Sequence, residues 1–304
     1  MPNLSVSIGK LKLKNPVMVA SGTFGYAQEF KDFVDLKQLG AIVSKTITLK
    51  PRQGNPPPRT CETPSGMLNS IGLENPGLKG FIKDKLPLLK KTGVPVIVSI
   101  ASEGHPEEFM KLAGKLDKIK EIAALELNIS CPNIREKNRL ISQDASATYD
   151  LVKNVRRVTG KTLITKLSPN VTSIVEIALA AEEAGSDAIS LINTLTGMSI
   201  DLSSRRPKIA AIIGGLSGPA IRPVAVRMCW ECSRNINIPI IGMGGIMDSQ
   251  SALEFIIAGA SAVSVGTVNF VNPKACLEII CGINDYLKKN QMKDIRSLIG
   301  SLKV

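Results

Sequence analysis

Eight short runs of aliphatic residues recur along the chain, and they restrict its fold more than any other feature. The runs are Pro16–Ala20, Ala41–Ser44, Pro95–Ile100, Ala124–Ile129, Thr162–Leu167, Ala188–Ile192, Pro239–Met243 and Ala262–Val265. Runs of this length and composition are typical of strands buried on both faces. Because aromatic residues make up only 4% of the sequence, the core must consist largely of aliphatic side chains.

Segments with apolar residues at helical spacing lie between many of these runs. They are Glu107–Lys120, Ala145–Val158, Ser173–Ala184, Pro219–Arg234, Ser249–Ala258 and Pro273–Lys289. Ser173 and Asp248 stand where helix N-caps are expected. Strands alternating with helices predict an α/β fold, a closed (β/α)8 TIM barrel in one domain over residues 1–304, with an open doubly wound sheet as the alternative. The alternating stretch Leu4–Leu13, broken by Gly9, predicts a small N-terminal β-hairpin.

Three connections are longer than loops between barrel elements usually are. They are Thr48–Gly77, Cys131–Asp144 and Thr194–Gly218. Each follows a predicted strand, so each is expected on the C-terminal face, where TIM-barrel enzymes carry their active sites. Long loops on that face usually serve as lids or substrate walls.

Glycines follow the last two predicted strands, at Gly244-Gly245 and at Gly266-Thr267. Glycine permits close backbone approach to a ligand, and a helix beginning near Asp248 would present free N–H groups to an anion. Barrels often bind phosphate after these two strands. The pair of turns therefore predicts a phosphate site, and a simple tight strand-to-helix connection is the alternative for a turn taken alone.

Lysines and asparagines stand at or near other strand ends. Lys166 would be partly buried and would need an anionic or polar partner, such as the pyrimidine edge of a flavin. A lysine that reaches solvent or forms a Schiff base is the alternative, and Lys45 would suit a substrate carboxylate. Four asparagines could form an amide cage around a flat heterocycle with imide groups. They are Asn69, Asn128, Asn133 and Asn193.

Cys131 follows the fourth predicted strand and precedes Pro132 at the start of a long loop. A cysteine at a buried position is often only a small apolar filler. Its position at the start of a loop favours access to the thiol and therefore a functional role. A thiol titrates near enough to neutral pH to act as a base. Cys229 and Cys232 form a CxxC within a predicted helix, with no second pair, and are interpreted as structural.

Several classes of function are poorly supported. No carboxylate stands at a strand end, which argues against hydrolysis by paired carboxylates. The only histidine, His105, precedes Pro106 at a predicted helix start and cannot form a multi-histidine metal site, so no metal is expected. The net charge of +12 is spread over helix faces without interleaved aromatics, so no nucleic-acid partner is expected. No signal peptide or membrane span is apparent, which with reduced thiols predicts a cytoplasmic protein without membrane attachment.

The strand-end residues together resemble those of the class 1 dihydroorotate dehydrogenases over essentially the whole chain. The resemblance rests on the two glycine turns and on Ala20–Gly25, Ser44–Thr46, Pro56–Arg59, Asn69–Leu73, Asn128–Asn133, Lys166–Pro169 and Asn193-Thr194. Cysteine at 131, where the membrane-associated class has serine, points to class 1. The general run of the sequence looks most like the catalytic subunit of the NAD-linked subclass 1B.

That resemblance implies FMN-dependent oxidation of (S)-dihydroorotate to orotate in de novo pyrimidine (UMP) biosynthesis. Cys131 would remove the C5 proton as general base, while hydride leaves C6 for flavin N5. The electrons would pass to a partner subunit that carries FAD and a 2Fe-2S cluster, and then to NAD. The family assembly is a homodimer core with two such partners, a heterotetramer.

The resemblance also assigns residues. Positions that match FMN contacts are Ser21, Lys45, Thr46, Asn128, Lys166, Ile192, Gly218, Gly244, Gly245, Gly266 and Thr267. Positions that match substrate contacts are Lys45, Asn69, Ser70, Ile71, Gly72, Leu73, Asn128, Asn193 and Thr194. Ser99 departs from the asparagine often found at the end of the third strand, and is kept as a flavin-site candidate of shorter reach.

Three alternatives stay open at this point. The fumarate-linked subclass 1A uses the same chemistry with another electron acceptor. A dihydropyrimidine dehydrogenase-like reductase would use a similar barrel and cysteine on a substrate without the carboxylate. A non-enzymatic barrel that binds a phosphorylated ligand would carry no flavin.

Overall fold

A computed structural model describes residues 1–130, 135–136 and 139–303, and it contains eighteen strands. They are β1 (Val6–Ile8), β2 (Leu11–Leu13), β3 (Val17–Val19), β4 (Ala41–Val43), β5 (Thr60–Thr63), β6 (Gly66–Asn69), β7 (Val96–Ile100), β8 (Ile122–Asn128), β9 (Arg135–Glu136), β10 (Arg139–Leu140), β11 (Thr162–Lys166), β12 (Ala188–Leu191), β13 (Leu195–Met198), β14 (Ile200–Asp201), β15 (Arg206–Pro207), β16 (Ile213–Ser217), β17 (Ile240–Gly242) and β18 (Ala262–Val265).

Eight α-helical segments occur in the described residues. They are α1 (Gly77–Gly80), α2 (Leu86–Lys90), α3 (Glu107–Asp117), α4 (Ala145–Arg156), α5 (Ile174–Glu183), α6 (Arg222–Ser233), α7 (Ser249–Ile257) and α8 (Ala275–Lys289). A π-helical turn over Phe81–Lys85 joins α1 to α2, so the three form one continuous helical stretch. No helix in the described ranges is both long and apolar enough to cross a membrane.

The eight predicted runs form one closed parallel barrel. Its strands follow the chain in the order β3, β4, β7, β8, β11, β12, β17 and β18, and β18 pairs with β3 to close it. This confirms the (β/α)8 prediction and rules out the open sheet. All residues of β7 and β11 are buried, as expected where helices cover the outside and side chains fill the inside.

Helix starts also follow the sequence signals. The Ser173 and Asp248 side chains accept hydrogen bonds from the backbone N–H groups of Glu176 and Ser251, which makes each residue an N-cap. These caps fix the residues at which α5 and α7 begin.

The N-terminal hairpin lies against one end of the barrel. β1 pairs antiparallel with β2, and Gly9 forms the turn at φ +55°. A Cβ at Gly9 would lie 2.8 Å from the Asp187 Cβ and 3.3 Å from the Thr162 side chain, beside the starts of β12 and β11. The hairpin therefore sits at the N-terminal end of these strands, and the opposite end is the one left for ligands.

Two of the long connections carry a further antiparallel sheet, with strand order β13-β16-β6-β5. The sequence did not reveal it, because β16 begins Ile213-Gly214-Gly215 and β6 begins at Gly66, and glycine masks the strand pattern. The helical stretch from α1 to α2 was missed for a similar reason, since it contains Gly77, Gly80 and Pro87.

Candidate active site

A cavity of about 650 Å³ opens at the C-terminal end of the barrel. Its floor and rim come from the ends of barrel strands, and one wall comes from β6 and β16 of the additional sheet. This volume lies within the range of small-molecule and cofactor sites. Two of the long connections thus form walls of the cavity, as the sequence predicted.

The structure brings nearly all the predicted site residues to this cavity. Those that line it are Ser21, Lys45, Thr46, Asn69, Ser70, Ile71, Gly72, Leu73, Asn128, Lys166, Ile192, Asn193, Thr194, Gly218, Gly244, Gly245, Gly266 and Thr267. Cys131 and Asn133 lie outside the described residues. Ser130, which precedes Cys131, lines the cavity, and its Oγ donates to the Lys166 carbonyl at 3.3 Å.

Ser99 is the exception among the described candidates. It is fully buried, and its Oγ lies 2.9 Å from the Thr46 Oγ1, behind the cavity lining. Thr46 in turn accepts a hydrogen bond from the Asn128 Nδ2 at 3.3 Å. Ser99 therefore orients Thr46 and Asn128 and does not face the cavity itself.

Asn128 leaves one hydrogen-bonding group unused. Its Oδ1 is buried and has no partner among the described residues. A buried acceptor without a partner is costly, so a donor on a bound ligand would stabilise the site. The Asn128 side chain is thus suited to a ligand that carries N–H or protonated groups.

The two lysines give the cavity a positive character. Lys166 is the last residue of β11 and only 6% exposed, whereas Lys45 follows β4 and is partly exposed. Neither forms an ion pair with a described acidic side chain. Ammonium groups that have no acidic partner among the described residues, in a partly desolvated cavity, favour an anionic ligand.

A cradle for an anion lies at the ends of β17 and β18. Among the described residues, the backbone N–H groups of Gly244, Gly245, Gly266 and Thr267 have no acceptor, and all four residues line the cavity. Gly244 and Gly245 adopt φ values of +123° and +74°, which favour glycine. Four unused donors at one end of the cavity suit a phosphate.

The sequence predicted that the N-terminus of α7 would present free N–H groups to this cradle, and the structure does not support that prediction. The Asp248 carboxylate accepts the Ser251 N–H at 2.8 Å, and these bonds hold its pKa below the usual range. Asp248 does not line the cavity. The N-terminus of α7 is capped by Asp248, so the unused N–H donors at the cavity are those of the strand-end turns.

Two asparagines with little signal in the sequence hold the cavity loops. Asn55 donates to the Ser70 Oγ at 2.6 Å and so fixes the Asn69–Leu73 loop. Asn170 donates to the Thr194 carbonyl at 3.2 Å and accepts from the Thr196 N–H at 2.9 Å. The only sequence signal for Asn170 was its place just after a strand, behind Ser168-Pro169.

None of the other described cysteines lines the cavity. Cys229, Cys232 and Cys276 are buried, and burial raises the pKa of the Cys232 and Cys276 thiols to about 12 and that of Cys229 further. Such thiols stay protonated and unreactive near neutral pH. This supports the structural interpretation of the CxxC pair. His105 also lies outside the cavity lining, and its backbone bonds to the Ser102 hydroxyl.

The chain matches one family model and is similar to several known proteins. A family model described as "Dihydroorotate dehydrogenase" matches residues 3–287. A protein of Geotalea daltonii is 55% identical over 303 residues, covering 100% of this chain and 99% of the relative. A protein of Trichlorobacter lovleyi is 55% identical over 301 residues, and one of Thermoanaerobacter pseudethanolicus is 52% identical over 302, each covering 99% of both chains. All three carry the name "Dihydroorotate dehydrogenase B (NAD(+)), catalytic subunit".

Proposed function

The chain belongs to the dihydroorotate dehydrogenase family, and from this premise we propose that it oxidises (S)-dihydroorotate to orotate with a bound FMN, as a step of pyrimidine (UMP) synthesis. One observation carries the proposal. A single cavity combines four unused backbone N–H groups with two lysines that have no described acidic partner. That combination suits a phosphorylated cofactor beside an anionic substrate.

FMN fits the donor set of the cavity. Its phosphate would take the N–H groups of Gly244, Gly245, Gly266 and Thr267, and its polar ring edge would meet Lys166 and the free Asn128 Oδ1. Ser21, Lys45, Thr46, Ile192 and Gly218 would contact the rest of the cofactor. When bound, FMN supplies the acceptor for the hydride that leaves C6 of the substrate.

The substrate would occupy the space between the flavin and the additional sheet. Lys45 and the loop over 69–73 would bind its carboxylate and ring, together with Asn128, Asn193 and Thr194. Cys131 would remove the C5 proton as general base. Asn69 already donates its Nδ2 to the Gly215 carbonyl at 3.2 Å, so its Oδ1 is the atom left for the substrate.

The names of the relatives support an NAD-linked assembly. We propose that two copies of this chain form a core that binds two electron-transfer subunits carrying FAD and a 2Fe-2S cluster. The electrons would pass through these subunits to NAD. The proposal places the enzyme in the cytoplasm, where the free thiols at Cys61 and Cys281 would stay reduced.

The proposed activity is tested by a substrate panel on the purified full-length chain. We expect a yellow protein with flavin absorbance near about 450 nm. Under anaerobic conditions dihydroorotate should bleach this band, and dihydrouracil, which lacks the carboxylate, should not. Preferential bleaching by dihydrouracil would favour a dihydropyrimidine dehydrogenase-like activity. Turnover of the lone chain with fumarate would replace the NAD-linked assignment by subclass 1A.

The phosphate cradle gives a separate prediction. Gly245→Ala should weaken FMN binding more than about tenfold, a change of about 1.4 kcal/mol. Gly245 has φ +74°, and an added Cβ would lie 2.7 Å from the Arg222 Cβ and 2.9 Å from the Gly218 carbonyl oxygen. These contacts force the turn to move. FMN fluorescence quenching on titration into apoprotein measures the dissociation constant.

Gly160→Ala is the matched control, because a Cβ there meets no atom within 4 Å. It should bind FMN as the wild type does. Unchanged FMN affinity of Gly245→Ala would remove the cradle from the cofactor site.

A further inference from the structure

The eight strands of the barrel contain only two charged residues, Glu126 and Lys166. They have opposite charges and lie on neighbouring strands, β8 and β11. Nearly all other barrel-strand positions are apolar or carry small hydroxyls. The barrel strands thus carry one carboxylate and one ammonium. The proposed function gives a role to Lys166 and none to Glu126.

Both side chains lie on the inner side of the barrel. Lys166 pairs in register with Asn128, and both residues line the cavity. Glu126 precedes Asn128 by two residues, so its side chain points to the same side, one layer deeper. Its Oε2 accepts a hydrogen bond from the Ser190 Oγ at 3.1 Å. Because Ser190 is on β12, beyond β11, this bond crosses the inner face of the strand that carries Lys166.

The Glu126 carboxylate is incompletely satisfied. The residue is 2% exposed, and its Oε1 is buried with no partner among the described residues. Burying a charge without compensation is costly, and electrostatic interactions reach further in a poorly solvated interior than in water. Lys166 is the one opposite charge on the barrel strands, and it lies on the neighbouring strand, two residues further toward the cavity than the register partner of Glu126. The barrel strands thus offer the buried carboxylate one opposite charge, on the neighbouring strand and on the same inner side.

We propose that Glu126 is the buried counter-charge of Lys166 and, through that lysine, a positioning residue that sets the reduction potential of the flavin. The flavin part of this inference rests on the proposed function. Glu126 holds the ammonium at the cavity floor. Because its negative charge offsets part of the positive charge of Lys166, the lysine stabilises the reduced, more negative flavin less, and the reduction potential is lowered.

The direct test is the midpoint potential of FMN-loaded Glu126→Gln. Glutamine keeps the shape and can still accept the Ser190 hydrogen bond, so the variant removes mainly the charge. We expect the ratio of reduced to oxidised flavin at a fixed potential to rise about tenfold, an upward shift of about 30 mV for a two-electron couple. Ser190→Ala removes the hydrogen bond and keeps the charge, so its ratio should change less than about twofold. A change below twofold in Glu126→Gln, or an equal shift in Ser190→Ala, would overturn the inference.

A second test needs no flavin. In the apoprotein, Lys166→Met should lower the melting temperature by leaving Glu126 without its counter-charge. Adding Glu126→Gln in the same chain should recover most of that loss, because neither charge then remains. Melting temperatures that simply add would contradict the charge pairing. A wild-type chain that binds no FMN would defeat the proposed function, whereas this cycle would still decide whether the two charges are coupled.

Discussion

Replacing Cys131 by alanine is expected to slow the reduction of bound FMN by dihydroorotate by about 10²- to 10⁴-fold while FMN stays bound, because the variant loses its general base. Cys131 lies outside the described residues, so the prediction rests on the sequence and on its neighbours. Asn128 and Ser130 line the cavity immediately before it. Described residues that lead to Cys131 therefore line the cavity, and no other predicted strand-end residue is suited to act as the base.

Stopped-flow absorbance of the anaerobic flavin band measures this rate. Cys281→Ala is the control, because Cys281 is an exposed thiol on α8 and should not affect bleaching. In the wild type the rate should rise with pH toward the ordinary thiol pKa of about 8.5, since only the thiolate accepts a proton. Bleaching of Cys131→Ala at the wild-type rate would exclude the thiol as the base.

Replacing Lys45 by methionine is expected to raise the dissociation constant of orotate by about ten- to a hundredfold. Methionine keeps the length of the side chain and removes its charge, and a hydrogen bond to a charged group contributes roughly 1.5–3 kcal/mol. Lys45 lines the cavity and has no described acidic partner, so its ammonium is available to the substrate carboxylate. Perturbation of the flavin spectrum on orotate titration reports this binding.

Lys50→Met provides the comparison, because Lys50 is exposed and does not line the cavity. Its affinity for orotate should match the wild type. If Lys45→Met bound orotate equally well, the carboxylate site would have to be sought elsewhere in the cavity.

The barrel could be predicted from the sequence because its strands are buried on both faces. Runs such as Ala262–Val265 must then be apolar throughout, and the observed β18 has the predicted bounds. The additional sheet could not be predicted in this way. Its strand β5 is exposed or half-buried at every residue, and β16 is interrupted by glycines, so neither shows a core pattern. These strands exist because they pair with each other above the barrel.

Part of the site could be predicted, because the functional side chains of a barrel cluster at the ends of its strands. Lys166, Asn128 and Gly244 could be selected from their place after apolar runs. The sequence could not show which neighbour each side chain faces, because that depends on the register between strands. Ser99, for example, faces Thr46 instead of the cavity. Glu126 was hidden inside an apolar run, and only the pairing of β8 with β11 shows that it lies one layer deeper than Lys166 on the neighbouring strand.

The central claim is that this chain uses FMN to oxidise dihydroorotate, and an anaerobic titration of the FMN-loaded protein tests it most directly. Flavin absorbance and orotate formation are followed together as dihydroorotate is added. We expect the flavin band to be lost in proportion to the substrate added, with one orotate formed for each FMN reduced. A flavin band that persists in excess dihydroorotate, or bleaching without orotate, would contradict it.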